Sequence, residues 1–414
     1  MTEPYHARVI DAQLRRALTG AGAVVLEGSK ACGKTTTAEQ VCSSAARLDS
    51  DRPLRTAGLG DPSLLLPGAA PRLIDEWQLV PEVWNAVRAA VDERGVPGQF
   101  VLTGSATPAD DATRHSGAMR IMRVVMRPMS LFESGISDGT ASLADLWNGV
   151  LTPNMVTSDL RQIAEAACRG GWPGIRDLDL DIARDMNRSY LRSMASADIV
   201  TVDGTRRDPR KVEALVLALG RNTATYVSNR TLQTDSARFG ESIDPSTIAV
   251  YLDALERLWV LSPQYAWGGH LRSSAPARRA AKRHLADPSL AVAAMGASVD
   301  DLLIDHAAFG QVFETMVFRD LSVYAQAGGM EVRAFQDSKG NEIDAVIVKG
   351  TSWAGIEVKL AAIPDVLDAA AASLRAIESR MTSQAQFLAI VTADGPTYTR
   401  PDGVHVVSVA HLGP

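Results

Sequence analysis

A short apolar, β-branched run at residues 23–26 leads into "GSKACGKT", which fits the spacing G-x-x-x-x-G-K-[ST] at residues 28–35. Few local patterns restrict a fold as strongly. The apolar run reads as a buried strand. Gly28 and Gly33 let the backbone curl so that successive N–H groups face phosphate oxygens. The following "TTAEQVCSSAARL" has helix-forming composition, and a helix N-terminus there adds partial positive charge. Lys34 then reaches the β- and γ-phosphates as a point charge, and Thr35 offers its hydroxyl to Mg²⁺. Ser29, Lys30, Ala31, Cys32 and Thr36 complete the candidate cradle. Strand, loop and helix together dictate an α/β domain with ATP and Mg²⁺ as its candidate ligands.

Phosphate chemistry of this type needs a carboxylate on a neighbouring strand. "PRLIDEWQLV" supplies Asp75 and Glu76 after Leu73 and Ile74. Asp75 would serve the metal, directly or through water, and Glu76 would orient or deprotonate the attacking water. "QFVLTGSA" is a third strand, and its terminal Thr103 and Ser105 are either γ-phosphate sensors or plain turn chemistry. Trp84, Val87, Ala90 and Val91 fall at helical spacing and read as a core face. Arg120, Arg123 and Arg127 flank "IMRVVM"; a guanidinium here could reach a γ-phosphate in its own or a neighbouring subunit, or be an ordinary solvated charge.

Length and composition place this unit in a larger frame. The 414 residues allow two or three domains, and 46% apolar with 22% charged residues is ordinary for a globular chain. A net charge of −6 argues against a wholly basic nucleic-acid coat. The three cysteines, Cys32, Cys42 and Cys168, fit no zinc spacing, and their odd number opposes a disulfide framework. "MTEPYHARVIDAQLRRALTG" has no apolar signal core, and no apolar run reaches about 18 residues. The expectation is a reduced, cytoplasmic protein without a membrane partner.

From residue 151 the pattern becomes helical, with a "GGWPG" turn. Residues 231–242 and the helix opened by Asp244 and Pro245 suggest a helix-turn-helix. Ile248, Leu252, Leu255 and Leu258 form its buried stripe, and "WVLSPQYAW" could be a wing. Asp253 and Glu256 on the outward face would repel phosphates, so DNA reading and a protein contact both stay open. Residues 267–286 are strongly basic: Arg272, Arg278, Arg279, Lys282 and Arg283 appear with no acid among them. They fit a phosphate-contact segment or a solvated loop and helix.

The tail alternates. In "NEIDAVIVKG", Ile343, Ala345 and Ile347 point one way, Glu342 and Asp344 the other; in "GIEVKLA", Glu357 and Lys359 share a face. A turn at Gly350 would bring Asp344 near Glu357, with Glu314 on the preceding helix. Converging carboxylates suit Mg²⁺ or Mn²⁺, and Lys359 beside them could hold or activate a water. Helix, three mixed strands, helix and strand is the element order of a restriction-endonuclease core.

These stretches together resemble a prokaryotic family of AAA+-type P-loop ATPases with a C-terminal restriction-endonuclease-like domain. The carriers are "EGSKACGKTTTA", "IDEWQLVPEVWNAVR", "GQFVLTGSATP", "HSGAMRIMRVVMRPMSLFESG", "GGWPG", "YLDALERLWVL", "FGQVFETMVFRDL", "NEIDAVIV" and "GIEVKLA". The resemblance implies nucleotide binding at residues 28–35, metal and water carboxylates at Asp75 and Glu76, a sensor among residues 103–105, and a nuclease-like set of Glu314, Asp344, Glu357 and Lys359. One departure is Met119 in "GAMRI", where a glycine is expected before Arg120. The expected layout is an ATPase domain at 1–150, a helical and winged-helix segment at 151–300, and a nuclease-like domain at 301–414. The leading function is an ATP hydrolase coupled to a metal-dependent nuclease acting on DNA. The alternative is an ATP-switched protein- or nucleic-acid-binding regulator whose nuclease-like domain is inactive. ATP/ADP and DNA, a protein contact through the winged helix, and an oligomer are the candidate associations.

Overall fold

The structure is a computed structural model that describes residues 5–105, 117–202, 204–268, 281–337 and 340–414. It divides into two units. The first comprises Met1–Pro128, Ser196–Arg207 and Asp253–Val260; the second comprises Met129–Ala195, Asp208–Leu252 and Leu261–Pro414.

The first unit is built on β1 (Ala23–Glu27), β2 (Ser44–Arg47), β3 (Arg72–Asp75), β4 (Phe100–Gly104) and β5 (Ile121–Val125). All pairings are parallel, in the order β2-β3-β4-β1-β5. The continuous apolar runs of β1 and β4 suit central strands covered on both faces, and both are buried throughout. Val25, Ile74, Trp77, Phe100 and Leu102 join one core with Trp84, Val87, Ala90 and Val91, the face read from helical spacing. Two expectations are corrected here. The helix after the loop spans only Lys34–Glu39, because residues 44–47 leave it to pair with β3. Strand pairing overrides the alanine-rich propensity of that stretch. The strand carrying Asp75 is also not beside β1, since β4 lies between them.

The second unit contains β6 (Ala141–Ser142), β7 (Asn154–Ser158), β8 (Leu261–Gln264), β9 (Lys282–Leu285), β10 (Glu331–Gln336), β11 (Glu342–Lys349), β12 (Ser352–Lys359), β13 (Leu388–Thr392), β14 (Gly395–Thr399), β15 (His405–Ser408) and β16 (Leu412–Gly413). Its main sheet has seven strands in the order β10-β11-β12-β13-β15-β14-β7. The helix His306–Ala327 packs on β10 and β12, and Pro364–Glu378 packs on β12 and β13. Ile343, Trp353, Leu374, Ile390 and Val406 form the core under the second of these helices. The expected run of helix, three strands, helix and strand is present. The division at residues 150 and 300 does not match these units, because elements before residue 300 join the C-terminal sheet. β7 completes the sheet against β14, β6 pairs with β16, and Ala266 bridges to Ala334 beside the β8–β9 hairpin.

The helix expected at 231–242 is Asn229–Arg238, capped by Ser228 and stopped before Gly240, whose φ is +86°. Pro245–Arg257 follows, with Ile248, Leu252, Leu255 and Leu258 buried as expected. β8 and β9 form an antiparallel hairpin where the wing was expected. Among the described residues no helix is long and apolar enough to cross a membrane.

Candidate functional site

The loop after β1 depends on positive backbone φ at Gly28 (+154°), Ala31 (+65°) and Gly33 (+102°). A Cβ at Gly28 would lie 2.0 Å from the Met126 carbonyl oxygen, so this position admits no side chain. Cys32 is buried beneath the loop, its thiol 3.6 Å from that same oxygen. The Lys34 ammonium is buried and donates to the Gly28 and Ser29 carbonyl oxygens at 2.9 and 2.7 Å. Thr36 is exposed one residue past Thr35.

Behind the loop, β3 and β4 bring three predicted groups together. Thr35 Oγ1 donates to Asp75 Oδ1 at 2.8 Å, and the buried Thr103 hydroxyl donates to the same oxygen. Burial pushes the Asp75 carboxyl above its usual range, while the two hydroxyls pull it back. A hydroxyl beside a carboxylate is an all-oxygen donor set, which fits Mg²⁺. Glu76 follows in a left-handed conformation, φ +55°, directly past the end of β3. Its Oε2 accepts from Ser105 Oγ at 3.0 Å and from the Gln78 amide. Thr103 therefore supports Asp75, whereas Ser105 stands with Glu76.

The Arg120 and Arg123 guanidinium groups are engaged elsewhere. Arg120 pairs with Asp92 at 2.7 Å, and Arg123 pairs with Glu27 at 2.6 Å while lying over the Trp84 ring. The Arg127 carbonyl accepts from Arg8. Met119 has φ +64° and is 99% exposed, so the backbone takes the glycine-like conformation without glycine.

The C-terminal residues also converge, but around a cation not foreseen at this position. β11 and β12 pair with Ala345 opposite Ile356, and Asp344 Oδ2 accepts the Val358 N–H at 2.9 Å, beside Glu357. Lys359 Nζ lies 2.7 Å from Glu357 Oε1. Lys282, from β9, sits 2.5 Å from Glu314 Oε1, 2.5 Å from Glu342 Oε1 and 3.3 Å from Asp344 Oδ1. Its side chain is 1% exposed. Burial alone would lower its pKa; Asp344, Glu314 and Glu342 outweigh that and hold it charged, above the usual lysine value. Burial and the neighbouring Asp344 push Glu314 and Glu357 upward, opposed by Lys282 and Lys359 respectively. The expected metal set of Glu314, Asp344 and Glu357 is thus gathered but faces an ammonium, and these residues do not fit a divalent ion as they stand. Among the described residues no group of three or more His, Cys, Asp or Glu is arranged to hold a metal.

Lys282 and Arg283 correct the basic-segment expectation. Lys282 points inward, and Arg283 donates to the Val227 carbonyl and to Asn229. Arg272, Arg278 and Arg279 lie outside the described residues. The missed signal was period-two alternation in "KRHL", which puts Lys282 and His284 on one face. His284 Nε2 bonds Gln264 Oε1 at 3.0 Å and its ring stacks on Phe318; Gln264 also donates to the Arg333 and Asp344 carbonyls. Two further partners of the loop had no local signal: the Trp259 carbonyl accepts from Ser29 Oγ at 2.6 Å, and Asp198 pairs with Lys30 at 2.8 Å.

Residues 21–134 match the family described as an AAA domain. Residues 160–301 match a domain of unknown function (DUF8612), and residues 309–412 match another (DUF4143). Uncharacterized protein Rv2008c of Mycobacterium tuberculosis and uncharacterized protein Mb2031c of Mycobacterium bovis are each 39% identical over 100 residues. Those matches span 23% of this chain and only 23% of each relative. Among solved structures, the Walker-type ATPase PABY2304 of Pyrococcus abyssi aligns with TM-score 0.42 at 14% identity, over 69% of this chain and 94% of that one. Protein VC1899 of Vibrio cholerae aligns with TM-score 0.20 at 12% identity, over 94% of each chain.

Proposed function

Proceeding from an AAA-type ATPase domain at residues 21–134, we propose that the chain hydrolyses Mg-ATP and that its C-terminal sheet is a restriction-endonuclease-like core coupled to that hydrolysis. The observation that carries the first part is the shared hydrogen-bonded oxygen of Asp75, with Thr35 from the loop on one side and Thr103 on the other. Thr35 and Asp75 would hold Mg²⁺, which supplies charge neutralisation at the β- and γ-phosphates. Lys34 exchanges its two carbonyl acceptors for phosphate oxygens, a stronger charge-assisted pairing. Glu76 orients the attacking water and takes its proton at the carboxylate, with Ser105 holding the side chain and sensing the γ-phosphate. The testing experiment is ATP turnover in Lys34→Ala and Glu76→Gln. The first should lose hydrolysis with the fold intact; unchanged turnover would remove the assignment.

For the C-terminal core, cutting DNA and merely binding nucleic acid or protein make different demands on Asp344 and Glu357. The position of Lys282 favours binding, because the carboxylates that would collect a metal already surround an ammonium. The helices Asn229–Arg238 and Pro245–Arg257 with the β8–β9 hairpin support a winged-helix reading of the contact surface. Incubation with single- and double-stranded DNA and RNA, with Mg²⁺ or Mn²⁺ and with or without ATP, tests this. No cleavage is expected. Metal-dependent cleavage that disappears in Asp344→Ala would restore the nuclease reading.

A further inference from the structure

Three features set the acidic cluster apart from a surface ion pair. First, Lys282 is delivered by a strand whose neighbours are pinned: Gln264, its partner across the β8–β9 ladder, donates to the Arg333 and Asp344 carbonyls at 2.9 and 2.8 Å. His284, on the same face of β9, bonds Gln264 and lies within 3.2 Å of Thr315 on the helix His306–Ala327. The hairpin is therefore anchored to the helix and to β11, which carry Glu314, Glu342 and Asp344, and Lys282 cannot swing out while those bonds hold. Second, the ammonium bonds one oxygen each of Glu314, Glu342 and Asp344, the oxygens a divalent ion would need. Third, Glu357 Oε2 is buried and accepts no hydrogen bond, leaving one acidic oxygen that the lysine does not satisfy. Formally, the four carboxylates Glu314, Glu342, Asp344 and Glu357 face the two ammonium groups of Lys282 and Lys359, so negative charge remains in excess. That is the donor set of a cation site with a cation of the protein's own inside it.

We propose that the β8–β9 hairpin is an intramolecular plug: Lys282, held among Glu314, Glu342 and Asp344, takes the oxygens that a divalent metal would need, and the site accepts Mn²⁺ or Mg²⁺ only when that charge is removed. This rests on the endonuclease-like reading of the core. The physical reason is competition. A divalent ion brought onto the same oxygens would sit within a few ångströms of the ammonium, in surroundings of low dielectric where like charges repel strongly.

The test uses the full chain and Mn²⁺ alone as probe, read by electron paramagnetic resonance titration and by the shift in melting temperature. Wild type, Lys282→Met and Lys282→Met/Glu342→Gln are each measured with and without Asp344→Asn, which separates this site from the nucleotide loop. The double variant removes one carboxylate along with the lysine, so it stays folded if Lys282→Met alone does not; circular dichroism reports the fold. The lysine-free proteins should bind Mn²⁺ at least about tenfold more tightly than wild type, and Asp344→Asn should abolish the gain. An Mn²⁺-dependent recovery of folding in Lys282→Met would support the same conclusion. Wild-type binding of Mn²⁺ that is lost in Asp344→Asn would overturn the plug while leaving the endonuclease-like reading standing. Folded lysine-free variants that bind no Mn²⁺ would overturn both.

Discussion

Lys34 and Lys282 are both almost wholly buried, yet they are held in opposite ways. Lys34 donates to two neutral carbonyl oxygens of its own loop. Lys282 lies among Glu314, Glu342 and Asp344. Hydrogen bonds to neutral acceptors contribute about 1 kcal/mol each and are readily exchanged for phosphate oxygens. An ammonium enclosed by carboxylates is committed, because taking it away leaves buried charges uncompensated. A lysine on carbonyls is available to a ligand, whereas a lysine on carboxylates belongs to the fold.

The largest effect that could break this comparison is on stability. Lys282→Ala should cost on the order of 3–5 kcal/mol, the range for removing one partner of a buried ion pair. Lys34→Ala should cost about 1–2 kcal/mol, from two bonds to neutral groups. Urea denaturation of both variants checks this, with unchanged slope showing that the same surface is exposed. Equal losses would erase the distinction between an available and a committed lysine.

Activity should reverse the order. Lys34→Ala should reduce ATP turnover by at least about 100-fold, as expected when a preorganised donor to developing charge is removed. Glu76→Gln should bind ATP close to normally but turn it over roughly 100-fold more slowly, since the water-orienting group acts mainly in the transition state. Ser105→Ala should fall between this and wild type, because the Ser105 hydroxyl positions Glu76 and the Gln78 amide still bonds it. Separate measurements of nucleotide affinity and turnover distinguish these outcomes; a Glu76→Gln protein that fails to bind ATP would place that residue in binding instead.

The same two lysines show what a sequence makes legible. Lys34 is readable because the whole cradle is local: the strand, Gly28, Gly33, Lys34 and Thr35 lie within a few turns of chain. Asp75 and Glu76 are nearly as clear, since an apolar strand end followed by acids has few other uses beside such a loop. Residues 44–47 read as helix because alanine-rich composition favours one, and only the edge of β3 makes them a strand. Asp344, Glu357 and Lys359 were readable from alternation and a hairpin turn. Lys282 was not, since its partners lie 32, 60 and 62 residues away and its neighbours in sequence are basic. A basic run looks solvated until a strand periodicity turns every second member inward. Trp259 and Asp198 touch the loop through tertiary packing alone.

The smallest effect concerns His284, which shares the inward face of β9 with Lys282 and sharpens the distinction between charged and neutral buried groups. Its ring is buried, stacked 4.2 Å from Phe318 and bonded to Thr315 and Gln264. Burial, and then the charge of Lys282, hold its pKa well below the ordinary value of 6.5. Above pH 6.5 the ring is neutral in both folded and unfolded chains, and its contribution is fully present. Below that, the unfolded chain takes up a proton that the folded chain refuses, so stability falls as pH falls. The slope is up to about 1.4 kcal/mol for each pH unit until the depressed folded pKa is reached. Replacement by glutamine keeps a polar group within reach of Thr315 and Gln264 but removes the titration. The expected result is that the stability difference between wild type and His284→Gln shifts by roughly 1 kcal/mol, in the variant's favour, between pH 7.5 and 5.5. Comparing the two proteins cancels the carboxylates and other histidines, which titrate in both. A difference that stays constant with pH would mean that the folded ring titrates as the unfolded one does, and the inward face of the hairpin would then gain a second cation below pH 6.5.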